Sequence, residues 1–91
     1  MFMKIDTKKS ALRRLKIIEG QIRGLQDMVE NDKYCIDVIT QTSAVKSALS
    51  GFEDALMENH LGCCLVDQIK SGKETKAKEE ILKVYRLKRK Q

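Results

Sequence analysis

Residues 34–70 read YCIDVITQTSAVKSALSGFEDALMENHLGCCLVDQIK, and how this stretch folds decides the architecture of the whole chain. It has no proline and no alternation of period two, which removes a strand reading. Ile36, Ile39, Val45, Leu49, Phe52, Leu56 and Val66 supply apolar positions compatible with a helix. Gly51 and Gly62 each cost about 1 kcal/mol relative to alanine inside a helix. The stretch therefore predicts one very long helix from about Tyr34 to Lys70. Lys70-Ser71-Gly72 stops it, with Gly72 suited to the left-handed residue beyond a helix end.

Upstream, Leu12, Leu15, Ile18, Ile22, Leu25 and Val29 step by three or four, an apolar stripe of helical period. Asp6, Thr7 and Ser10 are candidate caps for its start. The segment Glu30–Tyr34 reads as a turn. Downstream, a third helix is expected from about Glu74 to Leu87, with Ile81, Val84 and either Tyr85 or Leu82 facing inward. The expected fold is all-α: three helices with one long central member, in a single domain over residues 1–91. About 1–8 and 87–91 are expected to be flexible.

Ninety-one residues with no Trp, two Phe and two Tyr leave only a modest aliphatic core. Such a core often needs oligomerisation or a metal. No run of about 18 apolar residues is present, so no membrane partner is expected. The first residues lack an apolar signal stretch, which predicts a cytoplasmic protein. Three cysteines, an odd count, point to thiols over a disulfide framework.

Charge falls in blocks. Residues 1–24 carry seven Lys/Arg against Asp6 and Glu19, and residues 73–91 carry eight against three Glu. The middle, 25–72, carries three Lys against eight Asp/Glu. Two basic ends around an acidic middle suit an anionic partner that meets both ends, nucleic acid first among them. The bland alternative is ordinary solvated helix faces.

The chain's one histidine, His60, stands four residues before Cys64, so the two share a helix face. Cys35 lies 25 residues before His60, about 37 Å along an unbroken α-helix. One long helix cannot bring these residues to a common ion. A second copy lying antiparallel can, with its twofold axis near residues 47–50. There Ala44, Ala48, Gly51 and Ala55 form a small-residue stripe that would let two backbones approach. Such a symmetric dimer builds two identical sites. Two thiolates and an imidazole suit Cu(I), whereas structural zinc normally takes four protein ligands. Spacing alone leaves the bland reading open, in which these are buried thiols and a hydrogen-bonded histidine. Cys63 points away from Cys64 around the helix and fits that reading best.

The segments RRLKIIEGQIRGLQDMVE, YCIDVITQTSAVKSAL and HLGCC resemble the copper-sensing operon repressor (CsoR) family of bacterial transcriptional repressors. The likeness runs from about Leu12 to Tyr85. Its most specific parts are Lys16–Gly24 and the Cys–x24–His–x3–Cys spacing. The resemblance implies a three-helix protomer without a helix-turn-helix, paired as antiparallel dimers that assemble into tetramers. It places Cu(I) on Cys35 of one subunit with His60 and Cys64 of another. It also puts Tyr34 and Glu80 where copper members carry residues that hydrogen-bond around the site. Nickel and cobalt sensors of similar sequence use a further histidine near the N-terminus, absent here. Formaldehyde sensors use an N-terminal proline, and this chain has none. Persulfide sensors lack the histidine. Cys63 departs from the copper pattern.

The function implied is a non-enzymatic Cu(I)-responsive repressor that binds operator DNA and is released by Cu(I), derepressing copper-resistance genes. Lys8, Lys9, Arg13, Arg14, Lys16 and Arg23 of the first helix are the expected phosphate contacts, with Arg86, Lys88 and Arg89 adding to them. Such contacts release counterions and make affinity fall with salt. The rival within the same class is a thiol or persulfide sensor using Cys35 and Cys64. A helical interaction module with incidental thiols is a second rival. An enzyme with a Cys–His nucleophile pair is a third, and it lacks an evident pocket or oxyanion hole.

Overall fold

The computed structural model describes residues 3–90. Helix α1 spans Ile5–Glu30 and helix α2 spans Cys35–Asn59. A single π-helical turn, His60–Cys64, joins α2 to α3, Leu65–Lys70. Helix α4 follows over Glu74–Arg89. Backbone angles stay right-handed helical through Asn59, His60, Cys64 and Leu65, so α2, the π turn and α3 form one rod. Thirty-six residues of helix are about 54 Å long, close to the molecule's longest dimension of 56 Å.

Both connections end their helices in the same way. After α1, Lys33 N–H donates to Met28 O and Asp32 N–H to Val29 O, with Asp32 at φ 54°. After α3, Lys73 N–H donates to Gln68 O and Gly72 N–H to Ile69 O, with Gly72 at φ 77°. These paired bonds satisfy carbonyls that a helix end would leave open. The expected left-handed role of Gly72 is met, and Asp32 takes the matching role at the first turn. None of Asp6, Thr7 and Ser10 caps α1, because the helix begins earlier, with Lys4 as its flanking residue and no side-chain cap. Asp6 instead sits in the first turn, where the positive end of the helix dipole favours a carboxylate. At the other end, α4 carries regular helix as far as Arg89.

Helix α1 packs antiparallel on α2, and Lys4 N–H reaches Asn59 Oδ1 at 3.4 Å. Helix α4 folds back along α3 and the end of α2, and it makes no packing contact with α1. The helices therefore lie side by side in one layer. Its radius of gyration is 17.2 Å, against about 12 Å for a compact domain of this length. Among the described residues only Ala11, Ile18, Val45 and Ala77 are buried. Of the expected α1 stripe, Ile18 alone is buried, while Leu12, Leu15, Ile22 and Val29 are exposed. In α4, Ile81 and Val84 are half-buried and both Leu82 and Tyr85 face solvent. A single layer has two open faces, so helical periodicity correctly marks the apolar faces but most of them find no partner within the chain.

The small-residue stripe also has a use within the chain. Arg14 Nη1 lies 3.4 Å from where a Cβ on Gly51 would stand. Ala55, Glu58, Asn59 and Gly62 face Thr7, Ser10 and Arg14 across a groove. Gly51 and Ala55 thus face α1 within the chain, and a Cβ on Gly51 would meet Arg14 at ordinary contact distance.

Candidate metal centre and its basic surroundings

The π turn carries two of the expected ligands, His60 and Cys64. Leu65 N–H donates to His60 O, a bond five residues back in place of the usual four. Such single turns insert one residue into a helix and occur often at functional sites. His60, Cys63 and Cys64 are all half-buried on this turn. Cys35 is the first residue of α2 and is exposed. Tyr34, equally exposed, flanks it, and the Tyr34 carbonyl accepts Asp37 N–H at 3.0 Å and Val38 N–H at 3.2 Å. The five expected site residues therefore fall at two places. Tyr34 and Cys35 mark one end of α2, and His60, Cys64 and Glu80 gather near the other. Among the described residues no three His, Cys, Asp or Glu side chains of one chain form a group able to hold a metal.

Helix α4 brings Glu80 to His60. Both line a groove of about 370 Å³ whose other walls include Leu56, Met57, Ile81 and Val84. The side-chain amide of Gln68 on α3 donates to Glu80 Oε1. That bond is the main cause holding the Glu80 carboxyl below the usual carboxylate range. Partial burial opposes the shift, and the charges of Lys76, His60 and Lys83 assist it. The spacing of His60 and Cys64 was legible in the chain. Gln68 was not singled out, although it stands four residues after Cys64 and the rod continues to Lys70.

Lys8, Lys9, Arg13, Arg14, Lys16 and Arg23 are all exposed on α1. Arg23 pairs with Glu19 at 2.9 Å, and Arg14 reaches over Gly51. Arg86, Lys88 and Arg89 occupy the last turn of α4, where cations favour the negative end of the helix dipole. Lys88 Nζ lies 3.1 Å from Asp54 Oδ1, and Arg89 stands 5.9 Å from the Tyr85 ring centre. The two basic ends of the chain nevertheless converge. Lys4 meets Asn59 and Lys88 meets Asp54, five residues apart on α2.

A family model described as "metal-sensitive transcriptional repressor" matches residues 7–87. The copper-sensing transcriptional repressor CsoR of Bacillus subtilis (strain 168) is 49% identical over 73 residues, which cover 80% of this chain and 72% of that protein. The copper-sensing transcriptional repressor RicR of Mycobacterium tuberculosis is 46% identical over 65 residues, covering 71% and 68%. Among solved structures, the copper-sensing repressor CsoR with Cu(I) from Geobacillus thermodenitrificans NG80-2 superposes with a TM-score of 0.88 at 34% identity. That match covers 96% of this chain and 91% of the other.

Proposed function

The chain belongs to the metal-sensitive transcriptional repressor family, and from that premise we propose that it is a Cu(I)-responsive repressor of operator DNA, acting in the cytoplasm as one helical domain. It is no enzyme, since the family consists of repressors. Similarity to copper sensors across most of the chain carries the reading. The donor chemistry agrees with it: two thiols and an imidazole form a soft, low-coordinate set.

Cu(I) would be held by Cys35 of one protomer with His60 and Cys64 of a second, and when bound it supplies a soft centre that ties two chains together. Cys35 is suited to reach another chain because it stands exposed at a helix start. His60 offers one ring nitrogen as ligand and the other as a hydrogen-bond donor. Metal-ligating histidines nearly always give that second N–H to an acceptor, and Glu80 is the one carboxylate lining the groove with His60. Tyr34 arrives beside Cys35 and completes the polar surroundings. The exposed apolar faces of α1 and α2 support a dimer of dimers, since a single layer needs covering.

Lys8, Lys9, Arg13, Arg14, Lys16 and Arg23 contact operator phosphates, with Arg86, Lys88 and Arg89 beside them. Joining the ends of two long helices shifts the assembly toward a form that holds DNA less well. A coupling of about 1–3 kcal/mol is ordinary for such a change. The thiol-sensing alternative through Cys35 and Cys64 is not favoured, because the relatives are named for copper.

The test is an anaerobic titration of the operator complex with Cu(I), Ni(II), Zn(II) and polysulfide. Cu(I) alone should release DNA from the native protein at stoichiometric amounts. His60→Ala should bind DNA as before and stay bound when Cu(I) is added. Release of the variant by Cu(I) would remove His60 from the sensing site, and release of the native protein by polysulfide alone would replace copper as inducer.

A further inference from the structure

Gln68 is the polar group that the copper site as described leaves unused. Its backbone carbonyl accepts Lys73 N–H at 2.8 Å, which anchors it at the end of α3. From there its side-chain amide donates to Glu80 Oε1 on α4. Its own Oε1 is buried and has no hydrogen-bond partner among the described residues. The adjoining cleft between α3 and α4 is lined mainly by apolar side chains, Leu65, Ile69, Ala77 and Ile81 among them, together with Glu74 and Lys78. A contact that served only to pack α3 on α4 would be better made by leucine, which leaves no buried acceptor unsatisfied. An unsatisfied buried acceptor is destabilising, so its presence calls for an explanation.

Glu80 supplies one. It has two oxygens: Oε1 is taken by Gln68, and the residue also lines the groove that holds His60. We infer that Gln68 is a positioning residue that fixes the Glu80 carboxylate so that its second oxygen can accept the ring N–H of His60. The series runs Gln68 to Glu80 to His60, from the end of α3 through α4 and back to the π turn. It orients the imidazole and joins the ligand turn to α4. This inference rests on the Cu(I) reading given above and extends it to a residue outside the ligand set.

The test compares native protein with Gln68→Leu in anaerobic competition against a chromophoric Cu(I) chelator, alongside urea unfolding. Removing a group that orients a ligand typically lowers metal affinity 10–100-fold. Gln68→Leu should therefore bind Cu(I) about tenfold more weakly while its unfolding midpoint holds or rises. A purely structural role would lower the midpoint and leave affinity alone. In a Glu80→Gln background the same substitution should add nothing to the loss. In native protein, which involves no variant, the Gln68 side-chain NH2 resonances should move when Cu(I) is added. Affinity of Gln68→Leu within twofold of native, or unmoved resonances, would overturn the inference. If His60→Ala also binds Cu(I) like the native protein, the site reading falls and takes this inference with it. If His60→Ala binds weakly and Gln68→Leu does not, only the inference falls.

Discussion

At Gly72 the backbone sits at φ 77°, a conformation that costs an L-residue with a Cβ about 1–2 kcal/mol. No atom lies within 4 Å of where that Cβ would stand, so the cost is conformational and not steric. Gly72→Ala should accordingly lose about 1 kcal/mol in urea unfolding while its metal affinity holds. Loss of a full helix by circular dichroism would mean that the turn does more than reverse the chain. Gly51 differs: it lies within α2, and a Cβ there would meet the Arg14 guanidinium at ordinary contact distance. His60 and Cys64 owe their shared face to spacing alone, and the π turn keeps both half-buried on one side of the rod.

Among the elements, α4 meets the rod through the Lys88–Asp54 and Gln68–Glu80 contacts. The Lys88–Asp54 pair is exposed, and pairs of this kind contribute about 0–1 kcal/mol. The Gln68–Glu80 bond is more sheltered and joins α3 directly to α4. Because the Glu80 carboxyl titrates below its ordinary value when folded, its ionised form favours the folded state, a contribution complete above about pH 4.5, the value of a free glutamate. That contribution is lost as pH falls through the lower, folded value. Urea midpoints measured between pH 5 and pH 3 should therefore drop, and Glu80→Gln should show a smaller drop. Equal acid sensitivity in the two proteins would place the titrating group elsewhere.

For the whole molecule, four buried residues among those described make a small core. The exposed Leu12, Leu15, Ile36 and Ile39 are apolar surface that the proposed dimer of dimers would cover. Sedimentation equilibrium should give a mass near a fourfold multiple of 10.4 kDa. Ile39→Glu should reduce that mass and lower the unfolding midpoint together, since burying an unpaired carboxylate at an interface is costly. A folded monomer of native stability would show that the single layer needs no cover. The same architecture explains the charge pattern: antiparallel α1 and returning α4 bring both basic ends to residues 54–59 of the rod.

Helical periodicity, the absence of proline and the turn residues determined the three-helix plan from the chain alone, because each is a local property of backbone and side chain. The His60–Cys64 spacing and its distance from Cys35 were equally legible, because helix geometry converts residue number into position. Only the tertiary structure decided that a π turn carries His60 and Cys64, that Arg14 lies beside Gly51, and that Gln68 meets Glu80. Those features depend on which helix lies beside which, and on how one extra residue is absorbed within a continuous rod. The apolar stripes were visible from spacing as well, but whether a stripe is buried depends on its neighbours, and a single layer leaves most of them uncovered.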